Sequence, residues 1–300
     1  MLKRFSFVCL SFFAITALSF ANGVRVAVIP WGSGESQLGL RTGKEIDHVG
    51  PLSFAVDSAN TIYFLDEVNG RISVFDLAGK HLKNVGKNIR GSSIAVTDDG
   101  NVAVLQNKEI HLLDPQGNLQ KIVISPDIAL TRGYGQHLRV HQGEVYATQL
   151  NQHLKKVVQH NSGKFQAADN SGSNLEFAGL PGKASNQTYT VDWKNKHLVL
   201  VKGSAGYLVT LTTHDAFGGL QVIGVDNSEN VYVESERVTQ DGYAHLDIYK
   251  LSSAGQVLGV QEIPNMYATT VFKKTELLND GTVLQMVTTP SGVEIWKWTF

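Results

Sequence analysis

The chain of 300 residues is 42% hydrophobic and carries 26 Lys and Arg against 27 Asp and Glu, a formal net charge of −1. That is enough apolar material for a large core, and a near-neutral chain without Lys/Arg runs excludes the electrostatic footprint of a nucleic-acid binder. The one cysteine, Cys9, lies in the N-terminal segment, so the rest of the chain can form no disulfide and draws its stability from its core.

Residues 1–21 read as a secretory signal peptide. Lys3 and Arg4 form a positive start, Phe5 to Leu18 is almost wholly apolar, and Ser19-Phe20-Ala21 places small residues before a cut at Asn22. A transmembrane anchor needs about 18 or more apolar residues, more than this run supplies. Cleavage removes two basic residues and leaves 24 against 27, a formal charge of −3. The expected product is a single domain over residues 22–300, periplasmic or secreted, with no transmembrane segment after cleavage.

Gly23 to Ile29 is a lone strand, followed by the Gly-rich stretch Trp31 to Gly39, WGSGESQLG. Phe54 to Lys80 is then one complete β-meander: strands at Phe54 to Val56, Thr61 to Leu65 and Arg71 to Phe75, separated by turns at Asp57 to Asn60, Asp66 to Gly70 and Asp76 to Lys80. The pattern recurs in degraded form at Ser93 to Asn118, His137 to Val158, Thr188 to Thr212, Gln221 to Gln256 and Thr275 to Trp298. Its anchors, Val56, Val96, Val140, Val191, Val225 and Leu278, lie 40, 44, 51, 34 and 53 residues apart, periods that indicate a propeller or solenoid. Helices have no place, because the segments are short, rich in Val, Ile, Tyr and Thr, and broken by Gly, Asn or Asp. Six such sheets packed radially bury each other's faces. The expected fold is all-β: a six-bladed β-propeller with four-stranded antiparallel blades, its ring closed by the N-terminal strand.

Phe54 to Lys80 resembles an NHL-type repeat in Ala55-Val56-Asp57, Ile62-Tyr63, Asp66, Asn69, Arg71-Ile72, Val74-Phe75-Asp76 and Gly79-Lys80, and WGSGESQLG resembles the connector between such blades. Only turn residues and apolar alternation carry the likeness through the other units. The resemblance implies a six-bladed propeller and no single function, since such propellers serve as binding platforms and, less often, as enzymes.

Several clusters invite a chemical reading. Asp66, Asn69 and Arg71 could form an active site, but they suit a tight turn with a packed Arg stem. Trp31 to Gly34 and Arg41 to Lys44 lack the spacing of a phosphate loop, since Glu45 follows Lys44. Asp226 to Asn230 and Asp98 to Asn101 gather oxygen ligands without the closing Glu of an EF-hand. At the position where the chain enters each innermost strand, the alignment gives Ser53, Ser93, His137, Thr188, Val222 and Lys274 or Thr275. Only His137 there is a metal ligand, whereas zinc takes about three protein ligands, and His141, His197 and His245 fall in other registers. The same ring lacks the Glu, Asn and Asp, or the several His, expected of a propeller lactone hydrolase or lyase, and no Gly-x-Ser-x-Gly occurs. The tail Val293 to Phe300 is similar to the last strand of an outer-membrane barrel, but the strands are too short for one.

Gln159 to Asn186 breaks the repeat economy. Lys164 to Ala168 is expected as an outer strand, and the remainder as a long loop around Leu175, Phe177 and Leu180. With the extended turn Arg237 to Tyr243, it is the expected recognition surface. Candidate ligand-binding residues are therefore His137, Phe177, Lys183, Arg237 and Tyr243, and no residue is assigned to catalysis or to a metal. The leading reading is a non-enzymatic platform for a protein, peptide or glycan, with no required cofactor and calcium or zinc left open. The alternative is a metal-dependent, lactonase-like hydrolase or lyase in the same fold.

Overall fold

The computed structural model describes residues 23–44, 47–107, 109–123, 137–148, 153–161, 164–168, 176–185 and 187–300. The expected signal peptide, Leu175 and parts of the 159–186 segment lie outside them. All regular structure among the described residues is strand, in six small antiparallel sheets arranged as the blades of a propeller. None of them forms a helix long and apolar enough to cross a membrane.

Blade one takes its innermost strand from Phe54–Val56 and continues outward through Ile62–Asp66, Arg71–Phe75 and His81–Val85. The innermost strands of blades two to six are Ser93–Val96, Leu138–His141, Leu180–Pro181, Ala216–Val225 and Thr275–Leu277. Val24–Pro30 pairs with Gly292–Trp298 as the outermost strand of blade six, so the two ends of the chain share one sheet and close the ring. Blade three carries an extra short strand, Glu176–Phe177, against Leu154 and Lys155.

Blade four departs from the sequence reading. Thr188–Asn195 is its second strand, and the innermost one is the two-residue Leu180–Pro181, inside the segment read as loop. Proline lacks an N–H and so sits at sheet edges, a condition the axis-facing strand of a blade meets. Replacing Val191 by Pro181 as the anchor turns intervals of 51 and 34 residues into 41 and 44. Lys164–Ala167 is an outer strand as expected.

The core lies between blades. Five apolar clusters join blades one and two, two and three, four and five, five and six, and six and one. No such cluster spans the junction of blades three and four among the described residues. Within blade three, His141, Tyr146 and Phe177 meet ring to ring.

The turns after the innermost strands share one chemistry. Asn60, Gly100, Glu229 and Gly281 each have φ between 60° and 87°, and each donates its N–H to the carbonyl three residues back. Asn and Gly tolerate that left-handed region, which explains the turn composition. Asp57 and Asp226 complete their turns by accepting N–H groups two and four residues on.

Candidate functional site: an axial funnel

A funnel of about 410 Å³ opens on the face that carries these turns. Every blade lines it, through Val56 to Asn60, Val96 and Asp98, Leu138 to Gly143, Leu180 to Lys183, Ile223 to Val225, and Glu276 to Asp280. Gly224 lets the innermost strands of blades five and six approach, since a Cβ there would stand 2.5 Å from Leu277 Cδ2.

Arg139 crosses the axis at the bottom of the funnel. From blade three its Nη1 donates to the Ile223 carbonyl of blade five at 2.9 Å, and it lies 3.9 Å from Glu276 Oε2 of blade six. Lys273 Nζ reaches the same carboxylate oxygen at 2.7 Å. The other carboxylate that acts on Arg139, Glu234, accepts from Thr275 Oγ1 at 2.5 Å and Gln221 Nε2 at 2.8 Å. Burial pushes both Arg139 and Lys273 below their ordinary values, and Glu276 opposes the shift in each.

His137 precedes Arg139 by two residues, which places both on the same side of an extended segment. It is 1% exposed, and neither ring nitrogen has a hydrogen-bond partner. Burial and then the charges of Arg139 and Lys273 hold its imidazole well below 6.5, so it is neutral at physiological pH. Arg139 Nε–H is likewise buried without a partner.

Behind His141, which lines the funnel, the Phe177 ring stands edge to face with it, centroids 5.4 Å apart, and Tyr146 lies 5.4 Å from Phe177. Burial and the nearby Lys183 charge lower the His141 pKa. Lys183 is exposed, and the backbone N–H of Ala184 and the hydroxyl of Ser185 hold its loop to the Glu229 carboxylate of blade five, both at 2.6 Å.

Of the expected residues, Lys183 lines this funnel, whereas His137 is buried two residues before the lining Arg139 and Phe177 packs against the lining His141. Arg237 and Tyr243 do not join them. They flank the turn after a second strand, and successive antiparallel strands put that turn on the opposite face from the funnel mouth. Arg237 is engaged by Asp215 at 2.6 Å, Asp247 at 2.9 Å and Glu262 at 3.1 Å, leaving a rim clip rather than a free ligand contact. Tyr243 is 69% exposed. A second, shallower hollow of about 430 Å³ opens near the start of the blade-six innermost strand, among His48, Asn265, Tyr267 and Lys274. The sequence reading did not mark Arg139 or Glu276, and it set His141 aside as falling in another register. His141 and Arg139 flank the anchor Val140, and that adjacency was the available signal.

The other clusters are architectural. Asp226 has its carboxylate filled by Ser228 N–H, Asn230 N–H, Asn230 Nδ2 and Tyr232 Oη, the work of a turn. Asp66 accepts from Gly39 N–H, Asn69 Nδ2, Arg71 Nε and Ser73 Oγ, while Arg71 Nη2 donates to Gly34 O and Gln37 O. This set staples the Trp31 to Gly39 connector onto blade one. A metal fits poorly at the base of the funnel: a dication beside His137 would face Arg139 and Lys273, and the described residues hold no group of three His, Cys, Asp or Glu able to ligate one.

No family model matches the sequence, and no curated protein matches it. Among solved structures, the chain is similar to virginiamycin B lyase from Staphylococcus aureus at 13% identity, covering 93% of this chain and 99% of that one, with a TM-score of 0.42. A protein provisionally described as a gluconolactonase aligns at 12% identity over 93% and 91%, TM-score 0.49. Kluyveromyces lactis Hsv2 aligns at 9% over 78% and 70%, TM-score 0.45. At these identities the likeness says nothing of shared chemistry.

Proposed function

We propose that this protein is an exported, NHL-like binding propeller that recognises a protein, peptide or glycan by non-covalent contact in the axial funnel and at its rim. One observation carries this reading: residues of all six blades line the funnel, with Arg139 and Glu276 among them and His141 and Lys183 on the side of blades three and four. A concave site on which polar groups from several elements converge is a form that ligand sites take. The charges around His137 disfavour the metal-dependent hydrolase or lyase alternative, because they repel the cation such chemistry needs.

Peptide and glycan arrays probed with the protein test the proposal. The expected ligands lose binding to Phe177→Ala and Lys183→Ala and keep it with Tyr243→Ala on the opposite face. Chelator-sensitive turnover of lactone or ester substrates would instead establish an enzyme. Export is tested by the mature N-terminus in a secretion-competent host. A chain beginning at Asn22 supports it, and one retaining Met1 overturns it.

A further inference from the structure

We infer that the face opposite the funnel carries a second docking surface, centred on Met266 and Tyr243, for a segment of a partner protein that presents an apolar side chain between Lys or Arg residues. This goes beyond the proposed role of the funnel and is tested apart from it. Met266 is 85% exposed and Tyr243 69%, the two largest exposures among the described large hydrophobic residues. They are not scattered. Asn265 Nδ2 donates to the Ala244 carbonyl at 2.9 Å, which ties the connector that carries Met266 to the blade-five turn that carries Tyr243. Single exposed apolar side chains are ordinary, whereas Met and Tyr on two joined loops are residue types that protein interfaces favour.

The hollow of about 430 Å³ borders the same connector, lined by Asn265, Tyr267 and Thr269 together with His48 and Lys274. Its wall is held in place. Lys274 is anchored to Glu236 and, at 3.1 Å, to Asn265 Oδ1, and it stands 5.3 Å from the Tyr267 ring centroid. A bed fixed in advance spares a partner the cost of ordering it. Charge then decides what the partner carries. Asp215, Asp247 and Glu262 share Arg237, Glu236 holds Lys274, and Asp241 sits in the Tyr243 turn, bonded to Thr239 Oγ1. With histidine counted neutral, five carboxylates against two cations leave an excess of three negative charges. Asp241 and Glu262 are exposed, so a Lys or Arg beside the apolar contact meets an opposite charge. The same excess repels an anionic lipid surface, and a symmetric dimer through this face would set it against itself.

The test uses the full-length chain and three peptides: Lys-Leu-Lys-Leu-Lys, Lys-Ser-Lys-Ser-Lys and Glu-Leu-Glu-Leu-Glu. Methyl NMR of the methionines follows Met266 directly, with the buried Met286 as reference. A saturable Met266 shift with the first peptide, and about tenfold weaker binding of the other two, is the expected result. Tyr243→Ser should weaken binding about tenfold, as loss of an interface anchor does. Asp241→Asn combined with Glu262→Gln should weaken it severalfold and flatten its salt dependence. No saturable shift at millimolar concentration, or equal binding of all three peptides, overturns the docking surface. A Met266 shift that follows protein concentration alone overturns the partner in favour of a second copy. Sedimentation with phosphatidylserine vesicles that is lost in Met266→Ser overturns it in favour of a membrane. The Lys183→Ala variant separates the two faces: it should lose funnel ligands and keep Lys-Leu-Lys-Leu-Lys, and losing both would overturn the second surface.

Discussion

Two buried polar clusters, one in blade one and one on the axis, are built from similar residues and end in opposite states. Asp66 is fully buried, yet its two oxygens meet a backbone N–H, an amide, a guanidinium and a hydroxyl, and its partner Arg71 also clamps two carbonyls of the connector. On the axis, Arg139 has an idle Nε–H and His137 has two idle nitrogens. The first arrangement is closed and fixes the start of the ring. The second is open, and lies where a ligand can reach its edge through the funnel. Satisfaction of hydrogen bonds, rather than the presence of charged residues, separates architecture from a candidate site.

The comparison can be broken by substitution. Asp66→Ala removes the hub of the closed cluster and leaves Arg71 and Ser73 buried without it, so urea unfolding should show a loss of about 3–5 kcal/mol. A loss below about 1 kcal/mol would mean that closure contributes little. Arg237→Ala frees three carboxylates, of which Asp247 is buried, and should cost about 1–2 kcal/mol, diminishing as salt is added.

The open cluster should respond in the opposite direction. His137→Leu replaces an unpartnered imidazole by an apolar group of similar size, and unfolding should show unchanged stability or a gain of about 1 kcal/mol. Destabilisation comparable to Asp66→Ala would show that His137 has a structural partner and would end the contrast. The smallest effect is in pH. His137 has a folded pKa well below its ordinary 6.5. Below that ordinary value the unfolded chain takes up a proton that the folded chain refuses, so stability is highest above pH 6.5 and falls as pH drops through 6.5 toward the folded pKa. His137→Leu should flatten that fall when melts are compared across the window.

Part of this was legible in the sequence. The meander, the turn residues and the leftover strand Gly23 to Ile29 led to a closed six-bladed ring, because each depends on local periodicity or on one unpaired segment. Asp66, Asn69 and Arg71 could be read as structural because they fall within six residues and share one turn. The innermost strand of blade four escaped, since two residues with a proline carry no alternation to detect. Loop length and composition pointed to Lys183, which lines the funnel, and to Phe177, which packs on the lining His141, whereas Arg237 lies on the opposite face among three carboxylates.

By itself, then, the sequence determined what local chemistry controls: strand periods, turns that need φ above zero, and the number of blades. Only the tertiary structure decided which charges meet. Arg139, Ile223, Lys273 and Glu276 come together on the axis because the ring brings innermost strands of different blades into contact. Apart from the i,i+3 pair Lys273 and Glu276, this convergence has no sequence signature, since Arg139, Ile223 and Glu276 lie in different blades and meet through closure of the ring rather than by spacing along the chain.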